Sequence, residues 1–348
     1  MAEPGWEQGK TMKSGNHEIS EIHPGIFRIP LPLPGDKPDH VNAYLFKGKH
    51  PLLFDTGMNR TFPDLCAAFK HLNMEFSDLG QIILSHGHFD HYGAAASILK
   101  HAGKPIPVLA HPDAVLMLAK GNGLGLTQNE LLQFLKQTGL PLWLRIPVVL
   151  IAHVFNTFAG KIKTDVFMAK GDTLLAGDYP CQLIETPGHC KGLVCLYLPG
   201  QHLFFSSDHI LPYLPHSDPF LFHFNGIKER FNQIEFFESL GRVADLKPCR
   251  IFPGHGDEIQ DMDNVIRRYR TEYKKKDEKI IRALVHGPCS VYEIVKKIFP
   301  KVLNVRMGFP IYIALSEVYT HLQVLVRDSR VSRDDRNRVI RYLIHPDH

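Results

Sequence analysis

The 348-residue sequence predicts a layered α/β domain followed by a smaller, mainly helical one. Two observations point there. From about residue 20 to residue 262, short apolar runs alternate with helix-patterned segments, and several runs end in a turn bearing histidine or aspartate. Beyond residue 262 the pattern changes to long amphipathic helices rich in charge. With 44% hydrophobic and 22% charged residues, the composition is ordinary for a globular protein with a sizeable core.

Each element has its own signal. Residues 1–19 form a polar N-terminal extension with no apolar segment of the signal-peptide kind. Residues 22–29, 41–47 and 52–55 read as strands, with 31–36 as a Pro- and Gly-containing loop. Pro63 and Asp64 open a helix whose apolar face is Leu65, Phe69 and Leu72. Residues 81–85 form a strand, 93–101 a helix and 106–109 another strand. Residues 112–170 break the alternation as a helical insertion, in which Thr127 and Glu130 make a capping box. That insertion is strongly apolar through Phe134, Leu135, Trp143 and residues 148–150. It can pack on the core, cover a pocket as a lid, or form a homodimer surface.

Strand-like runs at 181–185, 203–205 and 250–252 follow, with a helix over 227–245. The C-terminal domain, residues 263–348, is read as a helix over 263–284, a second from the Ser290–Glu293 capping box to about 298, a third over 309–326, and a strand over 338–344.

The chemistry lies in the turns. His86, His88, Asp90 and His91 form an H-x-H-x-D-H run directly after the strand at 81–85. His86 and His88 are two apart, so an extended backbone points both the same way, while Asp90 and His91 lie past the turn and reach a second position. The spacing therefore implies two neighbouring metals. Imidazole and carboxylate together suit zinc first, with iron and manganese as alternatives. A surface loop in a chain with 21 histidines is the plain alternative, but His189, Asp208 and His255 stand in three further strand-ending turns.

This ordered set resembles the metallo-β-lactamase fold superfamily, in its glyoxalase-II-like hydrolase branch. Asp55, in the run 54–57, resembles the first motif; the run 86–91 the second; His189, Asp208 and His255 the third, fourth and fifth; and residues 42–45 an early N-x-Y-L strand. The resemblance implies a four-layer αββα sandwich over residues 20–262. It implies His86, His88 and His189 on one metal, Asp90, His91 and His255 on the other, Asp208 between them, and Asp55 orienting a ligand from behind. The C-terminal part resembles a winged-helix domain appended to one subgroup, which includes an endoribonuclease-like branch.

The implied reaction is hydrolysis. Two metals held there would activate a water molecule between them for attack on an ester, thioester or lactone carbonyl. Asp90 would orient or accept a proton, and His209 and Tyr92, beside ligands, are candidates to hydrogen-bond substrate or leaving group. The expected partner is a small molecule with an apolar acyl group. An RNA-cleaving enzyme and a metal-binding protein without turnover are the alternatives. The first of these draws on charge: residues 261–348 hold 18 Lys and Arg against 11 Asp and Glu, whereas the whole chain is only +4. No transmembrane segment is evident, and six cysteines without a C-x-x-C pair fit a cytoplasmic protein.

Overall fold

The structure is a computed structural model that describes residues 13–14, 17–34, 38–120, 127–155, 160–162, 166–167, 173–213, 232–304 and 308–346. After a small hairpin, β1 (Lys13–Ser14) and β2 (His17–Glu18), the chain builds its first sheet. The strands are β3 (Ser20–His23), β4 (Ile26–Pro32), β5 (His40–Phe46) and β6 (Leu52–Phe54). Helix α1 (Phe62–His71) leads to β7 (Gln81–Ile83), and the one-turn α2 (Phe89–Tyr92) with α3 (Ala95–Ala102) leads to β8 (Val108–Ala110). Helices α4 (Pro112–Lys120), α5 (Gln128–Gln137) and α6 (Leu142–Phe155) precede β9 (Val166–Phe167). Strands β3 to β9 lie side by side in chain order, antiparallel up to β6 and parallel from there on.

The second sheet is β10 (Thr173–Ala176), β11 (Tyr179–Glu185), β12 (Val194–Leu198), β13 (Leu203–Ser207) and, after α7 (Asn232–Asp245), β14 (Arg250–Pro253). Residues 227–231 of the helix expected over 227–245 lie outside the described residues.

Alternation along the strands sorts the apolar side chains into layers. In β5, Tyr44 and Phe46 point between the sheets, where they meet Phe205 and Phe252 of the second sheet. Val41, Ala43 and Leu45 of the same strand point the other way, onto the cluster that holds Leu65 and Phe69 of α1 and Ile98 of α3. In β13, Leu203 and Phe205 face the first sheet, whereas Phe204 faces Phe236 and Leu240 of α7. Helices therefore cover the outer face of both sheets, giving the expected αββα sandwich. Each fully buried Phe or Leu contributes roughly 1.5–3 kcal/mol over an exposed one.

Two elements differ from expectation. Leu31 and Pro32 continue β4, paired with Val41 and His40, where a loop was expected. β3 reaches β4 only as far as Arg28, so Pro30 and Pro32 lie on a stretch with β5 as its sheet partner, where a missing N–H is tolerated. The second difference concerns the insertion. α5 and α6 share one hydrophobic cluster with the C-terminal elements: α8 (Met262–Leu284), α9 (Val291–Ile298), α10 (Gly308–Arg327) and a small sheet of β15 (Cys289–Ser290), β16 (Val331–Asp334) and β17 (Arg341–Ile344). Phe134 is fully buried and sits edge-on to Tyr319, 5.4 Å away, so it lines this core and not a substrate pocket. Gly308 allows the close crossing of α10 and α6, since a Cβ there would stand 2.5 Å from the Val148 nitrogen. Trp143, by contrast, is 69% exposed, on a face of α6 with Leu142, Ile146 and Leu150.

α10 is long and apolar enough to cross a membrane by length and composition, but Ile311, Leu315, Val318 and Leu322 are buried within the C-terminal cluster. The expected capping boxes are both present, Thr127 with Glu130 and Ser290 with Glu293. In the basic run at 274–276, Lys274 and Lys275 are exposed. Lys276 is largely buried and paired with Glu317 of α10, and Lys275 pairs with Glu272 at 2.8 Å.

Candidate metal centre

Five strand ends meet at one edge of the sandwich. Asp55 follows β6, the run 86–91 follows β7, His189 follows β11, Asp208 follows β13 and His255 follows β14. A layered α/β fold leaves its reactive loops at such an edge because the strands themselves are committed to packing.

The loops bring two groups of donor atoms together. In the first, His88 Nδ1 lies 3.0 Å from both His86 Nε2 and His189 Nε2. Asp208 Oδ2 is 3.5 Å from His189 Nε2 and 4.0 Å from His86 Nε2. In the second, His91 Nε2 and His255 Nε2 are 3.3 Å apart, and Asp90 Oδ2 is 3.4 Å from His255 and 3.9 Å from His91. The other oxygen of Asp208, Oδ1, lies 3.3 Å from His91 Nε2 and 3.4 Å from His255 Nε2. One carboxylate thus turns an oxygen to each group.

Hydrogen bonds behind the rings set which nitrogen faces inward. His91 Nδ1 is 2.8 Å from Asp55 Oδ2, His255 Nδ1 is 2.8 Å from the His40 carbonyl, and His86 Nδ1 is 2.9 Å from Ser85 Oγ. An acceptor at Nδ1 places the hydrogen there and leaves the Nε2 lone pair pointing into the cluster. Several lone pairs and two carboxylates then converge on small volumes, which is unfavourable unless a cation or protons occupy them. Ligands around a tetrahedral zinc stand about 3.3 Å from one another, given Zn–N distances of about 2.0–2.1 Å. The observed 3.0–4.0 Å separations fit that donor spacing. Gly254 keeps the space clear, because a Cβ there would fall 2.5 Å from Asp208 Oδ1 and 2.9 Å from the His91 ring. These two groups could each hold a divalent metal ion.

The electrostatics divide the same way. Burial, with the neighbouring rings adding to it, lowers the pKa of His86 far below its usual value, and burial holds His189 down to about 3. Burial opposes charge on His91 and His255 as well, but Asp208 and Asp90 outweigh it and raise both, His255 to about 10. Burial would raise the Asp90 carboxyl, yet His91 and His255 hold it down to about 2. The second group is therefore the more anionic pocket.

Of the expected catalytic residues, Asp90 lies in the cradle and is its most open carboxylate, its side chain 20% exposed. Tyr92 does not join it. Its side chain is fully buried in the apolar cluster under the first sheet, and its hydroxyl has no hydrogen-bond partner among the described residues. The one-turn helix α2 turns Tyr92 away from the side on which Asp90 and His91 lie. His209 packs against Phe236 of α7, with ring centroids 5.1 Å apart, and burial, followed by Arg242, pushes its pKa down to about 3. It is a neutral ring on the α7 side of the turn. Cys190 is likewise a buried filler beside Leu193 and Phe236.

Other residues at the site had no role assigned from the sequence. Ser85 and Ser207 bond to each other and to Asp55. Asn42 donates to the carbonyls of Pro253 and Gly256, and Tyr44 to that of Pro253, so β5 ties down the turn that carries His255. Tyr213 packs on that turn too, its ring 3.1 Å from where a Gly256 Cβ would stand. Their signal was position alone, each lying within five residues of a motif or in the early strand.

The chain is similar to known proteins. Residues 36–255 match the family model of the metallo-beta-lactamase superfamily. The "Probable metallo-hydrolase YqjP" of Bacillus subtilis (strain 168) is 25% identical over 315 residues, covering 88% of this chain and 92% of its own. The "Thioesterase pkgB" of Emericella nidulans is 23% identical over 288 residues, 81% of this chain and 66% of its own. A metallo-beta-lactamase family protein from Thermus thermophilus superposes with a TM-score of 0.76 at 21% identity, covering 93% of this chain and 100% of that one. The chain belongs to the metallo-beta-lactamase superfamily.

Proposed function

We propose that this metallo-hydrolase binds two divalent ions, zinc in the first place, and hydrolyses a thioester or related ester of an apolar acyl group. The observation that carries the two-ion reading is Asp208, whose oxygens address the two donor groups separately. His86, His88 and His189 would hold one ion, Asp90, His91 and His255 the other, with Asp208 between. Ions held there would supply Lewis acidity for the carbonyl oxygen and for a water molecule. The rest falls to the chain. Asp90, the most solvent-open carboxylate of the cradle, orients the attacking water and accepts its proton. Asp55 keeps His91 in the right tautomer, and β5 keeps the His255 turn in place.

Support for the thioester class comes from the similarity to a thioesterase. In this reading residues 20–262 form the catalytic domain and residues 263–348 an appended winged-helix-like domain whose hairpin β16–β17 is the wing. Free thiols at all six cysteines accord with a cytoplasmic location. The ion pairing of Lys275 and Lys276 takes away part of the support for RNA binding.

The test is a metal-analysed preparation assayed against acyl thioesters, lactones, simple esters, phosphodiesters and RNA. Chelator-sensitive thioester or ester turnover, restored by zinc, is expected. Salt-sensitive RNA cleavage without ester turnover contradicts the proposal.

A further inference from the structure

The backbone is strained at two non-glycine positions of the site. Asp55 has φ +60° and Ser207 has φ +45°. An L-residue in this left-handed region is strained, whereas glycine occupies it freely. For Asp55 the compensation is plain, since its carboxylate accepts from His91, Ser85 and the Ser85 amide. Ser207 belongs to neither donor group and follows an irregularity in the β13–β14 pairing. Its hydroxyl is fully buried, 2.7 Å from Ser85 Oγ and 3.3 Å from Asp55 Oδ2.

The protons in this group can be placed by starting from the imidazole nitrogens that face the cradle. With Nε2 of His86 and His91 directed at the cradle, both Nδ1 atoms carry hydrogen. His91 Nδ1–H then donates to Asp55 Oδ2, and His86 Nδ1–H donates to Ser85 Oγ. Ser85 Oγ–H donates to Asp55 Oδ2 at 2.7 Å. The remaining hydrogen, that of Ser207, donates to Ser85 Oγ. Ser85 thus accepts twice and gives its single hydrogen to Asp55, which leaves none for His86 Nδ1. If it turned, a neutral His86 would carry its hydrogen on Nε2 and lose its inward lone pair.

We propose that Ser207 is a positioning residue that couples the two donor groups: its hydroxyl locks Ser85 and Asp55 into one unit, from which His86 of the first group and His91 of the second both hang. Ser207 immediately precedes Asp208, so the unit also joins the turn of the shared carboxylate to the rear of both imidazoles. The coupling is independent of the substrate class and rests only on the cradle holding metal.

Glycine at this position separates the hydroxyl from the backbone. Ser207→Gly removes the hydroxyl and relieves the strain, while Ser207→Ala removes the hydroxyl and keeps the strain. The full-length protein and both variants would be stripped, then titrated with zinc against a chromophoric chelator, and the thermal midpoints of the metal-free forms recorded. Loss of a group supporting a ligand from behind typically weakens metal binding by about 10–100-fold. Both variants should show that loss at both ions, and metal-free Ser207→Gly should melt at or above the wild-type midpoint. Zinc affinity of Ser207→Gly within about threefold of wild type, well under that range, overturns the coupling. So does loss at one ion only, or loss confined to Ser207→Ala. A wild-type chain that takes up no zinc overturns the metal reading and the coupling together.

Discussion

The metal cradle and the C-terminal helical cluster are built by opposite means. The cluster of α5, α6, α8, α9 and α10 uses regular helices, capping boxes and interlocking apolar side chains such as Phe134, Leu315 and Leu322. Its polar pairs include Lys276 with Glu317 and His321 with Asp277 at 2.7 Å. The cradle is made of loops, holds strained residues at 55 and 207, and crowds imidazoles and carboxylates within hydrogen-bond distance of each other. Helical packing gains stability from area and tolerates small changes of shape. The cradle gives up local stability to hold lone pairs in a fixed direction, as functional sites do.

Damage to the two regions should therefore appear in different measurements. The largest effect on turnover, with fold retained, is expected for Asp90→Asn. Loss of a proton acceptor at the reacting water should lower kcat by about 10²–10⁴-fold, with an unchanged circular dichroism spectrum. A fall in kcat under about tenfold, below that range, would remove Asp90 from the proton-transfer role.

Phe134→Ala should do the reverse. A buried phenylalanine truncated in a packed core costs about 3–5 kcal/mol, visible in urea unfolding, while bound zinc per chain stays at the wild-type value. Loss of metal, or a rise in KM for long acyl chains without destabilisation, would restore the reading of residues 112–170 as a lid on the pocket.

A subtler contrast is in pH. In the metal-free protein His255 is raised from 6.5 to about 10, so the stability it contributes is full below about 6.5 and is lost as pH rises through about 10. Asp90 is depressed from 3.8 to about 2, so its contribution is present above about 3.8 and is lost as pH falls through about 2. On the acid side His189 and His209, kept neutral by burial down to about 3, contribute fully above about 6.5 and lose that contribution as pH falls towards about 3, so the stripped protein should be most stable near pH 6.5. Zinc replaces the protons on His91 and His255, so the zinc-loaded protein should lose the alkaline decline. Thermal midpoints of both forms across roughly pH 4–10 check this. An alkaline decline equal in the two forms would show that the raised histidines do not face the metal.

The two regions also differed in how far the sequence revealed them. The residues at 86, 88, 90, 91, 189, 208 and 255, which the structure brings together, were legible because histidines and aspartates seldom gather at the ends of apolar runs without a purpose. What supports them was hidden. Ser85 and Ser207 are 122 positions apart, and two ordinary serines announce no hydrogen bond. Tyr92 adjoins His91 in sequence, but a helical turn sends the two side chains to different sides, one to the cradle and the other to the apolar layer. The helices of the insertion were partly legible, including the Thr127 cap, because capping is local. Their partner was not, since the apolar face of α5 fits a core, a lid or an interface equally well, and only the tertiary structure sets Phe134 against Tyr319. Prolines at 30 and 32 concealed the end of β4 for a related reason, their tolerance depending on how far β3 extends.

Metal stoichiometry in the Asp208 variant tests the central claim most directly. Native mass spectrometry of the zinc-loaded wild-type chain should show two ions per chain. Asp208→Ala removes an oxygen from each donor group at once, so the same measurement should show both ions weakened together and the doubly loaded species largely gone. An Asp208→Ala chain that still carries two tightly held ions, or a wild-type chain that never takes more than one, would contradict a cradle built around one shared carboxylate.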